Sequence, residues 1–259
     1  MQKTLQIRKL GMAHGLRWIR QGFELFAQSP QTWLWLSLMN VALFWLLEHL
    51  GALGGLLSML LTPVIVAGWL LGCHALRSGR TLTVAYFWAG FFHQTNRLLL
   101  LGVFLVGMLL LLSILMVALG GETLSAVAEQ WQPGDSPEQL QAILGDNGMS
   151  LMLQLFAVLA IPMLVIAMAM QFAPMLVVFE ALSPWSALRI SFMAFWINLP
   201  PLFVFSLVWS FTYLTVLQLG GDLLGTLLVI LLSPSVIASA YAAYREIVPE
   251  TVPAVEVEN

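Results

Sequence analysis

Charge is what this sequence has least of. Only 9% of its 259 residues are Asp, Glu, Lys or Arg, where a soluble domain has about a quarter. A water-facing surface needs a polar coat, and this chain cannot supply one. With 60% hydrophobic residues it must turn a large apolar surface to another solvent, and a bilayer is the obvious one. Cysteine is nearly absent too. Cys73 stands alone in an apolar run, which excludes an intramolecular disulfide and a cysteine-based metal cluster. No HExxH pair, phosphate-cradling glycine loop, dinucleotide fingerprint or GxSxG elbow occurs. The start, "MQKTLQIRKLGMAHGLRWIRQ", is basic but lacks an apolar core followed by a small-residue cleavage site. It is therefore not expected to be a cleaved signal peptide.

Positive charge is missing from one long stretch. "GETLSAVAEQWQPGDSPEQLQAILGDNG", residues 121–148, carries five acidic side chains and no Lys or Arg. Around it lie six apolar runs, at about 31–50, 54–76, 98–119, 151–179, 199–219 and 223–244. Each is long enough, or nearly so, to cross about 30 Å of hydrocarbon as a helix. Helices are expected because lipid offers no partner to backbone N–H and C=O groups. A barrel strand would alternate polar and apolar positions, and "LLLLGVFLVGMLLLLSILMVALGG" does not.

The basic residues then sort themselves. Lys3, Arg8, Lys9, Arg17 and Arg20 precede span one; Arg77, Arg80 and Arg97 lie between spans two and three. Arg189 lies between spans four and five, and Arg245 follows span six. All fall on one side of a six-span chain, the positive-inside pattern, with both termini cytoplasmic. The expected fold is all-α and polytopic: one integral membrane domain over 1–259. It has a cytoplasmic N-terminus with an interfacial helix (1–30), an acidic extracytoplasmic loop (120–148) and a cytoplasmic tail (245–259). Within the loop, Ser136 and Pro137 suit a helix start, Gln139 the capping-box position and Gly145 its end. Leu140, Ile143 and Leu144 would form its apolar stripe.

Three surface segments precede the outgoing spans. In "GLRWIRQGFELFAQSP", Arg17, Arg20, Gln21, Glu24 and Gln28 share one face. Leu16, Ile19, Phe23 and Phe26 share the other, with Trp18 at its margin, which describes a helix lying in the membrane surface. Ser29 and Pro30 suit the start of span one. "TVAYFWAGFFHQTNR", with Thr83 as cap, and "SPWSALRISFMAFWIN", with Ser183 and Pro184, echo this segment. Gly22-Phe23, Gly90-Phe91 and Ser191-Phe192 correspond, as do Asn96 and Asn198. The returning spans contain "TPVIVAG", "APMLVVF" and "SPSVIAS", with Pro63, Pro174 and Pro234 at comparable points. We read three parallel repeats of a surface helix plus a transmembrane hairpin. The prolines, with Pro162 as a second one in span four, are expected to kink the returning helices.

Candidate chemistry is sparse. Glu180 and His74 form a possible polar site near the cytoplasmic boundary; Glu48 and His49 lie at the outer end of span one. No ligand spacing calls for a metal, and no cofactor is implied. Asn40, Gln154, Gln171, Tyr213 and Gln218 suit helix–helix hydrogen bonds or a polar path. The thirteen methionines read as filler: Met168 and Met170, two apart, do not share a helical face. The strongest localised feature is cationic. Arg17, Arg20, Arg77, Arg80, Arg97 and Arg189 are candidate contacts for anionic lipid headgroups. Trp18, Trp33, Trp88, Trp185 and Trp196 are expected to anchor near the same boundary.

Three stretches carry a resemblance: "LQIRKLGMAHGLRWIRQGFELFAQSP", "TPVIVAGWLLGCHALRSGR" leading into "FWAGFF", and "FAPMLVVFEALSPWSALRISF". With these the chain resembles a family of proteobacterial six-span inner-membrane proteins that has no established mechanism. It is more distantly similar to the membrane portion associated with some glycerophosphodiester phosphodiesterases, whose soluble catalytic domain has no counterpart here. The resemblance implies a bacterial inner membrane and no activity. The expected role is non-enzymatic: a scaffold, assembly or regulatory component touching membrane lipids and a membrane protein partner, with no part for nucleic acid. A transporter or handler of a lipid or small apolar molecule is the alternative. An intramembrane enzyme would require Glu180, a histidine and further polar groups to converge.

Overall fold

A computed structural model describes residues 5–130 and 137–249. Lys3, Ser136, Asp135 and the tail beyond 249 lie outside the described residues, as do the side chains of Leu140 and Leu144. The described residues are helical nearly throughout. The elements are α1 (Ala13–Gln28), α2 (Pro30–Glu48), α3 (Ala52–Arg77), α4 (Tyr86–Ala89), a 3-10 turn (Gly90–Phe92), α5 (Thr95–Gln130), α6 (Pro137–Met170), α7 (Ala173–Glu180), α8 (Pro184–Ile197) and α9 (Leu199–Ile247).

Five helical segments among these residues are long and apolar enough to cross a bilayer: Ala52–Arg77, Thr95–Gly121, Leu153–Glu180, Leu199–Gln218 and Leu227–Ile247. The run expected as the first span forms α2, whose 19 residues reach about 28 Å. Gln31, Thr32, Ser37, Asn40 and three tryptophans dilute its apolar character, which keeps it out of the five.

The chain divides into two compact units, Met1–Gly102 with Ala169–Asn259, and Val103–Met168. In the larger unit α2 and α3 form a hairpin around Gly51, whose φ of +59° is a left-handed turn that glycine adopts without strain. Trp33 and Trp69 meet between the two helices at 5.8 Å. Helix α9 covers 49 residues, more than one membrane crossing needs, and it doubles back. Trp18 touches both Phe205 and Glu246, which a straight helix would hold roughly 60 Å apart. Gly225 packs against Leu217, so the reversal lies between those two residues. The limbs are therefore 199–217 outward and 225–247 returning, close to the expected fifth and sixth spans.

Several boundaries differ from expectation. Within the acidic segment α5 reaches Gln130 and α6 begins at Pro137, the expected helix start, but Gly145 does not end that helix and lies inside it. Gly120, with non-helical φ −138° and ψ 17°, marks a bend within α5. Pro63, Pro162 and Pro234 sit inside helices. Pro174 instead opens α7 after a break at Gln171–Phe172, where its missing N–H costs no helical bond. The expected surface helix at 83–97 is cut to the four residues of α4 and a 3-10 turn, and Thr83 caps it only through its backbone carbonyl. Ser183 does cap α8, accepting from the Ser186 N–H. Ser29 does not cap α2; its hydroxyl donates to Thr32.

The surface elements dock on returning helices through small residues. A Cβ at Gly22 of α1 would overlap Ser235 and Ser239 on α9, one and five residues after Pro234. A Cβ at Gly90 would overlap Val64 and Gly68 on α3, one and five residues after Pro63. Ser191 of α8, fully buried, accepts the Phe172 N–H at the start of α7 at 2.9 Å. Elsewhere large apolar side chains face outward, Trp35, Phe92, Phe156, Ile161, Trp185 and Phe211 among them, as a lipid-facing surface requires.

Candidate functional site

The last turns of α9 read "YAAYRE". In a helix, Tyr241, Tyr244 and Arg245 share one face, and Glu246 points about 100° away from Arg245. Neighbouring residues of opposite charge thus address different partners. The Arg245 face meets the ends of α3 and α7, and Glu246 meets α1.

Arg245 is 9% exposed. Its Nε donates to the Tyr241 hydroxyl at 3.0 Å, and its Nη2 lies 2.8 Å from His74 Nδ1. A guanidinium only donates, so Nδ1 of His74 carries the lone pair and the ring proton is on Nε2. The Tyr241 hydroxyl, 3.0 Å from the same Nδ1, completes a three-membered network. The guanidinium lies over the Phe179 ring at 4.8 Å and near the Tyr241 and Tyr244 rings at 5.5 and 5.9 Å. Aromatic faces stabilise a partly desolvated cation by about 1–2 kcal/mol in such settings. Tyr244 donates to Glu180 Oε1 at 3.4 Å. The structure therefore brings Glu180 and His74 into one cluster, linked through α9. The sequence reading did not include Tyr241, Tyr244 and Phe179; the i, i+3, i+4 spacing of two tyrosines and the last arginine was the available signal.

On the other side, Glu246 accepts from α1 as a row. His14 Nδ1 is 2.7 Å from Oε2, Trp18 Nε1 donates to the same oxygen at 2.9 Å, and Gln21 donates to Oε1 at 3.4 Å. Arg17 Nη1 stands 3.9 Å from Oε1. Trp18 is fully buried at the centre of the face formed by Gly15, Trp18, Gly22 and Leu25, not at the margin of an apolar face. Helix α1 turns Leu16 and Phe23 outward instead. The segment before α1 is tied to the same end. Arg8 N–H donates to Ile247 O at 2.9 Å, and buried Asn198 bonds Leu10 N–H and Arg8 O, each at 2.9 Å.

Six arginines are the expected contacts at the lipid boundary. Arg17, Arg20, Arg77, Arg80 and Arg189 are exposed, and Arg20 pairs with Glu24 at 2.8 Å. Arg97 is half-buried and donates to the carbonyl of Ala181. Of the expected anchors, Trp88, Trp185 and Trp196 are exposed, whereas Trp18 and Trp33 are interior. His49 and His93 bond carbonyls of their own elements, Trp45 and Ala89. Among the described residues no group of three or more His, Cys, Asp or Glu is placed to hold a metal ion.

Taken together, several apolar helices of spanning length and outward-facing aromatics define a polytopic α-helical membrane protein. The chain is similar to a Burkholderia thailandensis protein named "Probable inner membrane protein", at 26% identity over 258 residues, covering 93% of each chain. No family model matches the chain, and no solved structure matches it.

Proposed function

We propose that this is a non-enzymatic inner-membrane component, a scaffold, assembly or regulatory protein. The observation that carries the reading is the closed network at the ends of α3, α7 and α9. Its polar atoms are turned onto one another and walled by aromatic rings, as a positioning device is built. The convergence of Glu180 and His74 is the condition an intramembrane enzyme would also need. Glu180→Gln therefore tests it: retained cellular function supports the structural role.

The same proposal includes six spans, α2 being the first, both termini in the cytoplasm, and three parallel repeats. Supporting the repeats, Gly22 and Gly90 dock at the same two offsets from Pro234 and Pro63. It also includes contacts of the exposed arginines with anionic lipids, and the distant kinship to membrane portions beside glycerophosphodiester phosphodiesterases. The decisive experiment is native mass spectrometry after mild extraction. A stoichiometric protein partner supports the scaffold. No partner together with a measured flux overturns it.

A second reading, a transporter or handler of a lipid or small apolar molecule, is favoured by a partly open hollow of about 120 Å³ in the larger unit.

A further inference from the structure

A second hollow, of about 290 Å³ and partly open, lies where α1 meets the end of α3 and the returning limb of α9. That volume is at the small end of ligand pockets. Buried Leu25, Leu76 and Ala242 contribute its apolar lining. Gln21, Glu24, Gln28 and Arg77 supply its polar lining. Gln21, Glu24, Leu25 and Gln28 stand at i, i+3, i+4 and i+7, so one face of α1 forms this wall. Arg77 is the last residue of α3, a helix long and apolar enough to cross a bilayer. The hollow thus lies at the end of a span, which is the level of lipid headgroups.

Glu24 and Arg77 are both exposed, so their charged groups are accessible to an incoming molecule. They line one hollow without pairing with each other. Glu24 Oε1 takes Arg20 Nε at 2.8 Å, and Arg77 has no carboxylate partner among the described residues. The Arg20 pair is an exposed i, i+4 contact, worth little, and a carboxylate has further lone pairs to offer. A guanidinium takes a phosphate through paired N–H donors, and a carboxylate takes an ammonium. One charge of each sign gives the lining no net charge, which suits a zwitterion better than an anion. Among the described residues no aromatic ring lines the hollow, so it lacks the cage that a quaternary ammonium favours.

We infer that this hollow binds the headgroup of a phospholipid carrying a primary ammonium, as in phosphatidylethanolamine. Arg77 takes the phosphate, and Glu24 accepts from the ammonium. The inference rests on the membrane setting proposed above and narrows the lipid contact of Arg77 to one headgroup class.

The test uses the full chain, delipidated in detergent, and native mass spectrometry. The probes are dioleoyl phosphatidylethanolamine, phosphatidylcholine and phosphatidylglycerol, which differ only in headgroup. The ethanolamine lipid is expected to bind about tenfold more tightly than either of the others, the size of one charge-assisted hydrogen bond at a wet site. Glu24→Gln should bring the ethanolamine and choline lipids within about twofold of each other. Arg77→Gln should weaken the ethanolamine lipid about tenfold. A merely structural disturbance by Glu24→Gln would lower all three lipids together with their ratios kept, and that result would overturn the inference. So would equal binding of the three lipids by the parent chain, or tightest binding of the glycerol lipid, which would make the hollow a plain anion site. Displacement of the ethanolamine lipid by an equal concentration of phosphoethanolamine would overturn the lipid source and assign the hollow to a soluble phosphate ester. None of these outcomes depends on a protein partner or a measured flux, so the scaffold reading stands or falls separately.

Discussion

Glu246 is 23% exposed and gathers donors from four residues of one neighbouring helix. Removing one donor isolates its worth. Trp18→Phe keeps an aromatic ring in a fully buried position and deletes the N–H that bonds Oε2. A hydrogen bond to a charged group contributes about 1.5–3 kcal/mol, and part of that persists through water at this partly exposed carboxylate. We expect a loss of about 1–2 kcal/mol in thermal unfolding in detergent. Stability equal to the parent would show that His14 and Gln21 alone satisfy Glu246. Ala181 offers the opposite kind of test. Its φ of +52° ends α7 in the left-handed region, and its carbonyl receives Arg97. Ala181→Gly removes Cβ strain of about 1 kcal/mol and should raise the unfolding midpoint. A lowered midpoint would mean the backbone there is held by something other than local strain.

Helix by helix, what could be read from the sequence depended on contrast. Helix α1 opposes Arg17, Arg20, Glu24 and Gln28 to an apolar remainder, so its polar face is evident in the sequence. Its protein-facing stripe is not, because lipid and protein interior are both apolar solvents to Leu16, Phe23 and Trp18. The limbs of α9 have even less contrast, and their register against α1, α3 and α7 could not be read. Hence Tyr241, Tyr244 and Arg245 were not legible as the link between His74 and Glu180, the two residues that the sequence does place in one possible polar site. Small residues were the recoverable clue. Gly22→Leu should disrupt the docking of α1 on Ser235 and Ser239 and cost about 2 kcal/mol or more. Gly11→Leu has open space around it and should stay within about 0.5 kcal/mol. Equal costs for the two would place the damage in the substitution itself, not in the docking. The polar face makes a separate prediction. Neutralising Arg17 and Arg20 to Gln should weaken binding to anionic nanodiscs, by about 1 kcal/mol per charge. Unchanged binding across nanodiscs of varied charge would remove α1 as a lipid contact.

At the scale of the molecule, α3 and the returning limb of α9 bring their basic ends together with the end of α7, while residues 121–148 hold no cation at all. The expectation that a bilayer separates these two regions rests on charge order along the chain alone and needs no knowledge of packing. The orientation can be measured directly because Cys73 is the sole cysteine and is buried. On a Cys73→Ala background, Ser78→Cys sits at an exposed position beside Arg77, and Gln139→Cys at an exposed position in the acidic segment. A membrane-impermeant thiol reagent added outside intact spheroplasts should label position 139 and spare position 78. Inverted vesicles should reverse the pattern. Labelling of both positions from one side would mean that the hairpin of α5 and α6 does not cross. The six-span count would then fall, and with it the assignment of every arginine to a single face.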